Sequence, residues 1–167
     1  MKTVYAGKFI TVTEEPIGKF VYERAFLLPS VQVIPIVGDK ILMIREHRRE
    51  EGVSRWKFVS GFVDKPGLSV EEIAQEELME EAGFIAGRLV KYHFHDPKHT
   101  FIIPITYFLA YDLKEKKKLN PDGDVVEEIK YFSVDELYQR VLEGEFDFLH
   151  EASVILKLHR DKNKLNL

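Results

Sequence analysis

The chain has 167 residues, 45% hydrophobic and 31% charged, the balance of one soluble domain large enough to close a core. A net charge of −4 argues against nucleic acid as a partner, because such proteins carry a basic footprint. There is no cysteine, which excludes disulfides and thiolate metal sites, and no apolar run approaches a membrane span.

The opening MKTVYAGKFITVTEE alternates like a strand and lacks the apolar stretch of a signal peptide, so a cytoplasmic protein is expected. Residues 8–13 and 20–28 are predicted to pair as a hairpin across EEPIGK. VQVIPIVGDKILMIRE reads as two apolar strands joined at Gly38-Asp39-Lys40, a strong hairpin signal. Residues 56–60 give a further short strand. Ser69 with Glu72 is a capping-box pattern and Gly83 suits the position past a helix end, so a helix is predicted over 70–82. TFIIPITYFLAYDL reads as a central strand interrupted by its proline, and IKYFSV as another. Ser133 with Glu136 opens a second helix ending near Gly144, and a last helix covers 149–158. Strands grouped around one helix, then two more helices, imply a mixed sheet packed between helices.

The helix over 70–82 is the informative element. It holds six glutamates between Glu71 and Glu81 with no basic residue among them. At 100° per residue, Val70, Ile73, Ala74, Leu78 and Ala82 form a core-facing arc, and Glu77 and Glu81 fall inside it. Glu80 lies at the arc's edge, while Glu72 and Glu76 point the other way. A solvated acidic face explains Glu72 and Glu76 but not Glu77 and Glu81, since carboxylates on a buried stripe must be paired or coordinate a metal. Like charges at i,i+4, Glu76–Glu80 and Glu77–Glu81, add repulsion. A divalent cation resolves both problems, and oxygen donors suit Mg²⁺ or Mn²⁺.

EELMEEAGF, residues 76–84, resembles the second half of the Nudix box, G-x5-E-x7-R-E-U-x-E-E-x-G-U, through Glu77, Leu78, Glu80, Glu81, Gly83 and Phe84. Three positions depart from it. Glu76 stands where the family has arginine, Leu68 where it has its first glutamate, and the loop DKPG carries one extra residue. The DKPGLSVEE form resembles the box of UDP-sugar diphosphatases within the superfamily. GKFITV, ERAFLLPSVQVIPIV and ILMIREHRR are similar to the first half of ADP-ribose and nucleotide-sugar diphosphatases. WKFVSGF stands at their W-E-L-P-A-G-like segment, with Lys57 replacing the acidic residue, and LEGEFDFLHEASVILKLHR is similar to their closing helix.

The resemblance implies an α+β Nudix fold over residues 1–167 as a single domain. It would be an α/β/α sandwich with a mixed β-sheet and an N-terminal antiparallel β extension, about residues 1–29, forming the sheet of a homodimer. It further implies Mg²⁺-dependent hydrolysis, with Mn²⁺ as a substitute, of nucleoside diphosphate sugars such as ADP-ribose, UDP-glucose or GDP-mannose. The products would be a nucleoside monophosphate and a sugar phosphate. Glu77 and Glu81, with Glu80 third, are the implied metal ligands, and the backbone carbonyl of Ser60 is a fourth. The base is one of Glu127, Glu128 and Asp124 on the loop NPDGDVVEEIKYF. Arg48 is implied to contact the diphosphate, and Arg24 the nucleotide across the dimer. Arg45 or Arg48 would support the glutamates in place of the missing arginine. If Glu76 is only a lost contact, Glu76→Arg should be tolerated or activating; if it has a role of its own, harmful.

HFHDPKH places His93 and His95 on one strand face with His99 nearby. With no soft ligands around them a sugar-facing position fits better than zinc. A different class of function remains open, a catalytically weak Nudix fold used as a ligand sensor, motivated by Glu76 and Leu68. A decapping role is disfavoured by the acidic balance.

Overall fold

The computed structural model describes residues 1–48, 51–97, 100–116, 125–146 and 149–167. Strands β1 (Lys2–Ala6), β2 (Ile10–Ile17) and β3 (Phe20–Leu27) form an antiparallel meander. The predicted six-residue connection shrinks to the two-residue turn Gly18-Lys19, with Gly18 at φ 62°. Glu14 to Ile17 extend the ladder opposite Phe20 to Glu23, and glycine takes that φ without strain.

Strands β4 (Ser30–Val37) and β5 (Lys40–Arg48) form the predicted hairpin, with Gly38 at φ 64°. They pair only at Ile36–Ile41 and Val37–Lys40 before diverging. β4 then pairs with β7 (Val59–Phe62) along residues 30–33, while β5 pairs with β6 (Val53–Lys57). Pro35, which has no N–H to donate, falls where β4 changes partners. The single strand predicted at 56–60 is thus two strands with different partners. The chain crosses between them at the fully buried Phe58.

Helix α1 (Val70–Glu77) follows and continues through a π-helical turn, Leu78–Ala82, into β8 (Phe84–His95). Only the end of β8, at His93 and His95, was expected as strand, because the apolar residues before it are interrupted by Gly87, Arg88 and Lys91. It forms an edge of the large sheet, where alternating polar residues are at home. Pro104 splits the predicted apolar strand into β9 (Phe101–Ile102), which joins the N-terminal sheet beside β3, and β10 (Ile105–Glu115). Finally come β11 (Val125–Ser133), α2 (Val134–Leu142) and α3 (Leu149–Leu165), the last running seven residues beyond the predicted end at Leu158.

The large sheet has the order β11-β5-β4-β10-β8, and β4 and β10 run parallel at its centre. Alternation along its strands sends Ile34, Ile36, Met43, Tyr107 and Leu109 to one face, against Leu137, Ile155 and Leu158 of α2 and α3. It sends Val31, Val33, Leu42, Ile44 and Phe108 to the other, against Ile73, Ala74 and Leu78. The expected α+β sandwich is the observed architecture. No helix among the described residues is long and apolar enough to cross a membrane.

Candidate active site

The acidic helix is fixed at both ends before its carboxylates matter. Ser69 Oγ accepts the Glu72 N–H and Glu72 reaches back to the Ser69 N–H at 2.7 Å, a capping box contributing about 1 kcal/mol. Gln75 clamps the helix to β8, donating to Ala86 O at 2.7 Å and accepting the Ala86 N–H at 2.9 Å. Gly83 closes the segment at φ 77°. Widening of the last turn to π geometry, a feature frequent at functional sites, keeps three glutamates against the body of the protein. The side chains of Glu77, Glu80 and Glu81 are 13, 17 and 15% exposed.

Glu77 lies over Gly61 so closely that a methyl group there would sit 2.1 Å from its carboxyl carbon. Glu81 reaches deeper. One oxygen accepts the Ser60 N–H at 2.9 Å and the other accepts from Lys57 Nζ at 3.0 Å. Lys57 also contacts Glu46 at 3.0 Å, and Arg48 Nε reaches the same Glu46 oxygen at 3.2 Å. That oxygen has no hydrogen bond of good geometry and is held by charge alone. Burial works against the Lys57 charge, but Glu81 and Glu46 outweigh it and raise its pKa. Without this ammonium two buried carboxylates would face each other with only Arg48 and the Ser60 N–H to offset them, an arrangement that costs stability. Glu151, at the start of α3, is also buried, and burial pushes its carboxyl up to about 7 against the pull of Lys57, Arg48 and the Phe58 N–H.

Above these groups opens a cleft of about 400 Å³, lined by Glu46, Arg48, Lys57, Ser60, Gly61 and Glu81 among others. Farther out along the helix Lys65 meets the outer glutamates, 2.9 Å from Glu76, 3.6 Å from Glu80 and 3.9 Å from Glu77. The supporting cations are therefore Lys57 and Lys65, where Arg45 or Arg48 was expected. Glu76 is no lost contact, because it accepts the Lys65 ammonium.

Of the sequence-predicted residues, the fold brings together Glu77, Glu80, Glu81, Ser60 and Arg48. Arg24 is paired with Glu15 on the N-terminal sheet and does not line the cleft. Glu127 contacts Arg45 at 3.7 Å and His47 at 3.8 Å, and Glu128 contacts Arg45 at 4.0 Å, so neither lines the cleft. Asp124 and His99 lie outside the described residues. His93 stacks on Tyr107, whereas His95 lines a side pocket with His150 and Ser153. Glu46, Lys57, Lys65 and Glu151 were missed. For Glu46 and Lys57 the available signal was a charge inside an apolar strand, as in ILMIREH and WKFV, which demands a partner when buried.

Among the described residues no three acidic or histidine groups already converge as a metal cage, since the carboxylates turn toward the two ammoniums. The donor set nevertheless fits a hard divalent ion. All its donors are oxygens, and burial, then the neighbouring Glu81, push Glu77 up to about 7, the mark of a carboxylate short of counter-charge. A metal would displace that proton. Mn²⁺ affinity, measured by calorimetry, is therefore expected to rise about tenfold per pH unit up to about 7 and to level off above it. In the metal-free chain the sign is opposite. A carboxyl raised from its usual 4.5 contributes stability below that value, and this is lost as pH climbs through about 7.

A family model described as the NUDIX domain matches residues 27–152. ADP compounds hydrolase NudE of Escherichia coli (strain K12) is 41% identical over 73 residues, 41% of this chain and 38% of that protein. Nudix hydrolase 19, chloroplastic, of Arabidopsis thaliana is 27% identical over 144 residues, 84% of this chain and 32% of that protein. The matches thus span 38% and 32% of these curated relatives' own lengths. A crystal structure of an ADP compounds hydrolase is alike in fold, with a TM-score of 0.79 at 23% identity over 98% of this chain and 92% of that one. The family model covers most of the chain, including β4 to β7 and the whole acidic helix, and the chain belongs to the Nudix family.

Proposed function

We infer that the chain hydrolyses the diphosphate of nucleoside diphosphate sugars, ADP-ribose included, in a Mg²⁺-dependent reaction that also accepts Mn²⁺. The observation that carries this reading is Glu81 lining a cleft that also presents Arg48, with Glu77 packed over Gly61 of that lining and Glu80 beside it through their shared neighbour Lys65. Water adds to one phosphorus, the bridging P–O bond breaks, and the two products are a nucleoside monophosphate and a sugar phosphate. Glu77, Glu81 and Glu80, with the Ser60 carbonyl, would hold the metal, which when bound neutralises diphosphate oxygens and acidifies water.

Arg48 orients a non-bridging phosphate oxygen. Glu46 keeps the Arg48 guanidinium in place, 3.2 Å away. The proton of the attacking water goes to Glu127 or Glu128, or to Asp124 on the preceding segment. Support for this comes from the register, in which Val126 pairs with Glu46 and Val125 with His47, so β11 begins beside the end of β5 that enters the cleft. The sugar has a place in the side pocket of about 350 Å³, which shares Ile103, Ile105 and His150 with the cleft. The names of the Escherichia coli relative and of the structural neighbour, both ADP compounds hydrolases, accord with this substrate class.

The N-terminal sheet exposes Tyr5, Phe20, Val21 and Phe101, an apolar set that a second copy would cover. We place a homodimer there, with Arg24 reaching the partner's nucleotide; light scattering that returns a single-chain mass would remove this part. One observation favours a different class. Lys57 and Lys65 already offset part of the glutamate charge, as a ligand-sensing module without metal would require. Phosphate release from a panel of nucleotide sugars, coupled to a phosphatase, separates the two. Turnover that needs Mg²⁺ supports the hydrolase, and ligand binding without turnover supports the sensor.

A further inference from the structure

The glutamates of the site share a cation supplied by their own chain. Lys65 opens a tight turn in which Pro66 fixes φ, Gly67 takes φ 88°, and the Leu68 N–H closes back on the Lys65 carbonyl. This is the loop one residue longer than the Nudix pattern. Leu68, which packs against the core where the family has a glutamate, anchors its far side. The stiff turn delivers one ammonium to three carboxylates, hydrogen-bonded to Glu76 at 2.9 Å and 3.6 and 3.9 Å from Glu80 and Glu77. The loop insertion, the loss of the loop glutamate and the charge reversal at position 76 thus form one device. The pattern's cation on the helix has moved to the loop, and its acid has moved from the loop to the helix.

We propose that Lys65 is a built-in counter-cation that competes with the divalent metal for Glu77 and Glu80, and that Glu76 holds its ammonium aside when metal is bound. The proposal rests on the assignment of Glu77 and Glu80 as metal-facing groups. Metal-free, the ammonium relieves the i,i+4 repulsion between Glu76 and Glu80. On loading, the 2.9 Å bond to Glu76 is the only one of the three contacts that need not break. Lys65 therefore lowers metal affinity, and Glu76 limits that loss.

Calorimetric Mn²⁺ titration of the full chain, alongside Lys65→Gln, Glu76→Gln and the double variant, tests this. Both side chains are about one-third exposed, so the variants are expected to fold. Lys65→Gln should bind Mn²⁺ about five- to tenfold more tightly, the size of one partly screened charge removed beside a divalent ion. Its thermal midpoint should also rise more on Mn²⁺ addition than that of the parent. Glu76→Gln should weaken binding severalfold in the parent but less than about twofold once Lys65 is gone, since nothing is left to hold aside. Equal effects of Glu76→Gln in both backgrounds, or no tightening in Lys65→Gln, would overturn the proposal while leaving the metal assignment standing. No saturable Mn²⁺ binding in any of the four proteins would overturn both.

Discussion

Glu81→Gln is expected to lower turnover of a nucleotide-sugar substrate by about 10²- to 10³-fold, the scale seen when one electrostatic support is taken from a transition state. The residue sits at the junction of the site. One carboxylate oxygen accepts the Ser60 N–H and the other accepts from Lys57. An amide of the same shape keeps one of these acceptors and turns its NH2 toward the other donor, so circular dichroism should stay near the parent's while the thermal midpoint falls by a few degrees. It cannot, however, carry the charge that a divalent ion requires or that balances Lys57. Lys57 would then lean on Glu46 alone, 3.0 Å away. Near-parental activity of this variant would show that Glu81 is not a metal ligand.

Gly61→Ala should separate position from chemistry. Gly61 pairs with Val31 in ordinary extended backbone, outside the left-handed region, so alanine is compatible with the strand. The added methyl would lie 2.1 Å from Glu77 Cδ and 2.2 and 2.6 Å from its two oxygens. These atoms end a flexible side chain, so Glu77 can swing away and the fold survives. The carboxylate must shift by more than 1 Å to restore van der Waals contact, and a displacement of that size costs about 100-fold in rate. The expected result is a folded protein with a thermal midpoint close to the parent's and activity down by about that factor. A large loss of stability with full specific activity in the folded fraction would place Glu77 outside the machinery.

Much of this was legible before any coordinates. The capping pair Ser69–Glu72, the stop at Gly83 and the core-facing phase of Glu77 and Glu81 follow from periodicity and end chemistry, and they set the helix and its acid face. The hairpin at Gly38 and the second cap at Ser133 followed in the same way. What stayed hidden was contact across the sequence. Lys57 and Glu81 are 24 residues apart and Lys65 and Glu76 are 11 apart, and no local pattern pairs them. The parting of β4 and β5 was equally invisible. It needs β6 and β7 to take up the freed edges, and a propensity reading merges both into one short strand. Glu76 shows the limit most clearly. As a letter it contradicts a motif, whereas in three dimensions it completes an ion pair with the inserted loop.

The most direct test is product analysis of ADP-ribose incubated with the parent protein and Glu81→Gln, with and without Mg²⁺. The expected result is AMP and ribose phosphate formed by the parent only when Mg²⁺ is present, with Glu81→Gln reduced to a trace. Equal product without metal, or none from ADP-ribose and the other nucleotide sugars at any Mg²⁺ or Mn²⁺ concentration, would contradict the assignment of the glutamate cluster as a metal-dependent diphosphatase centre.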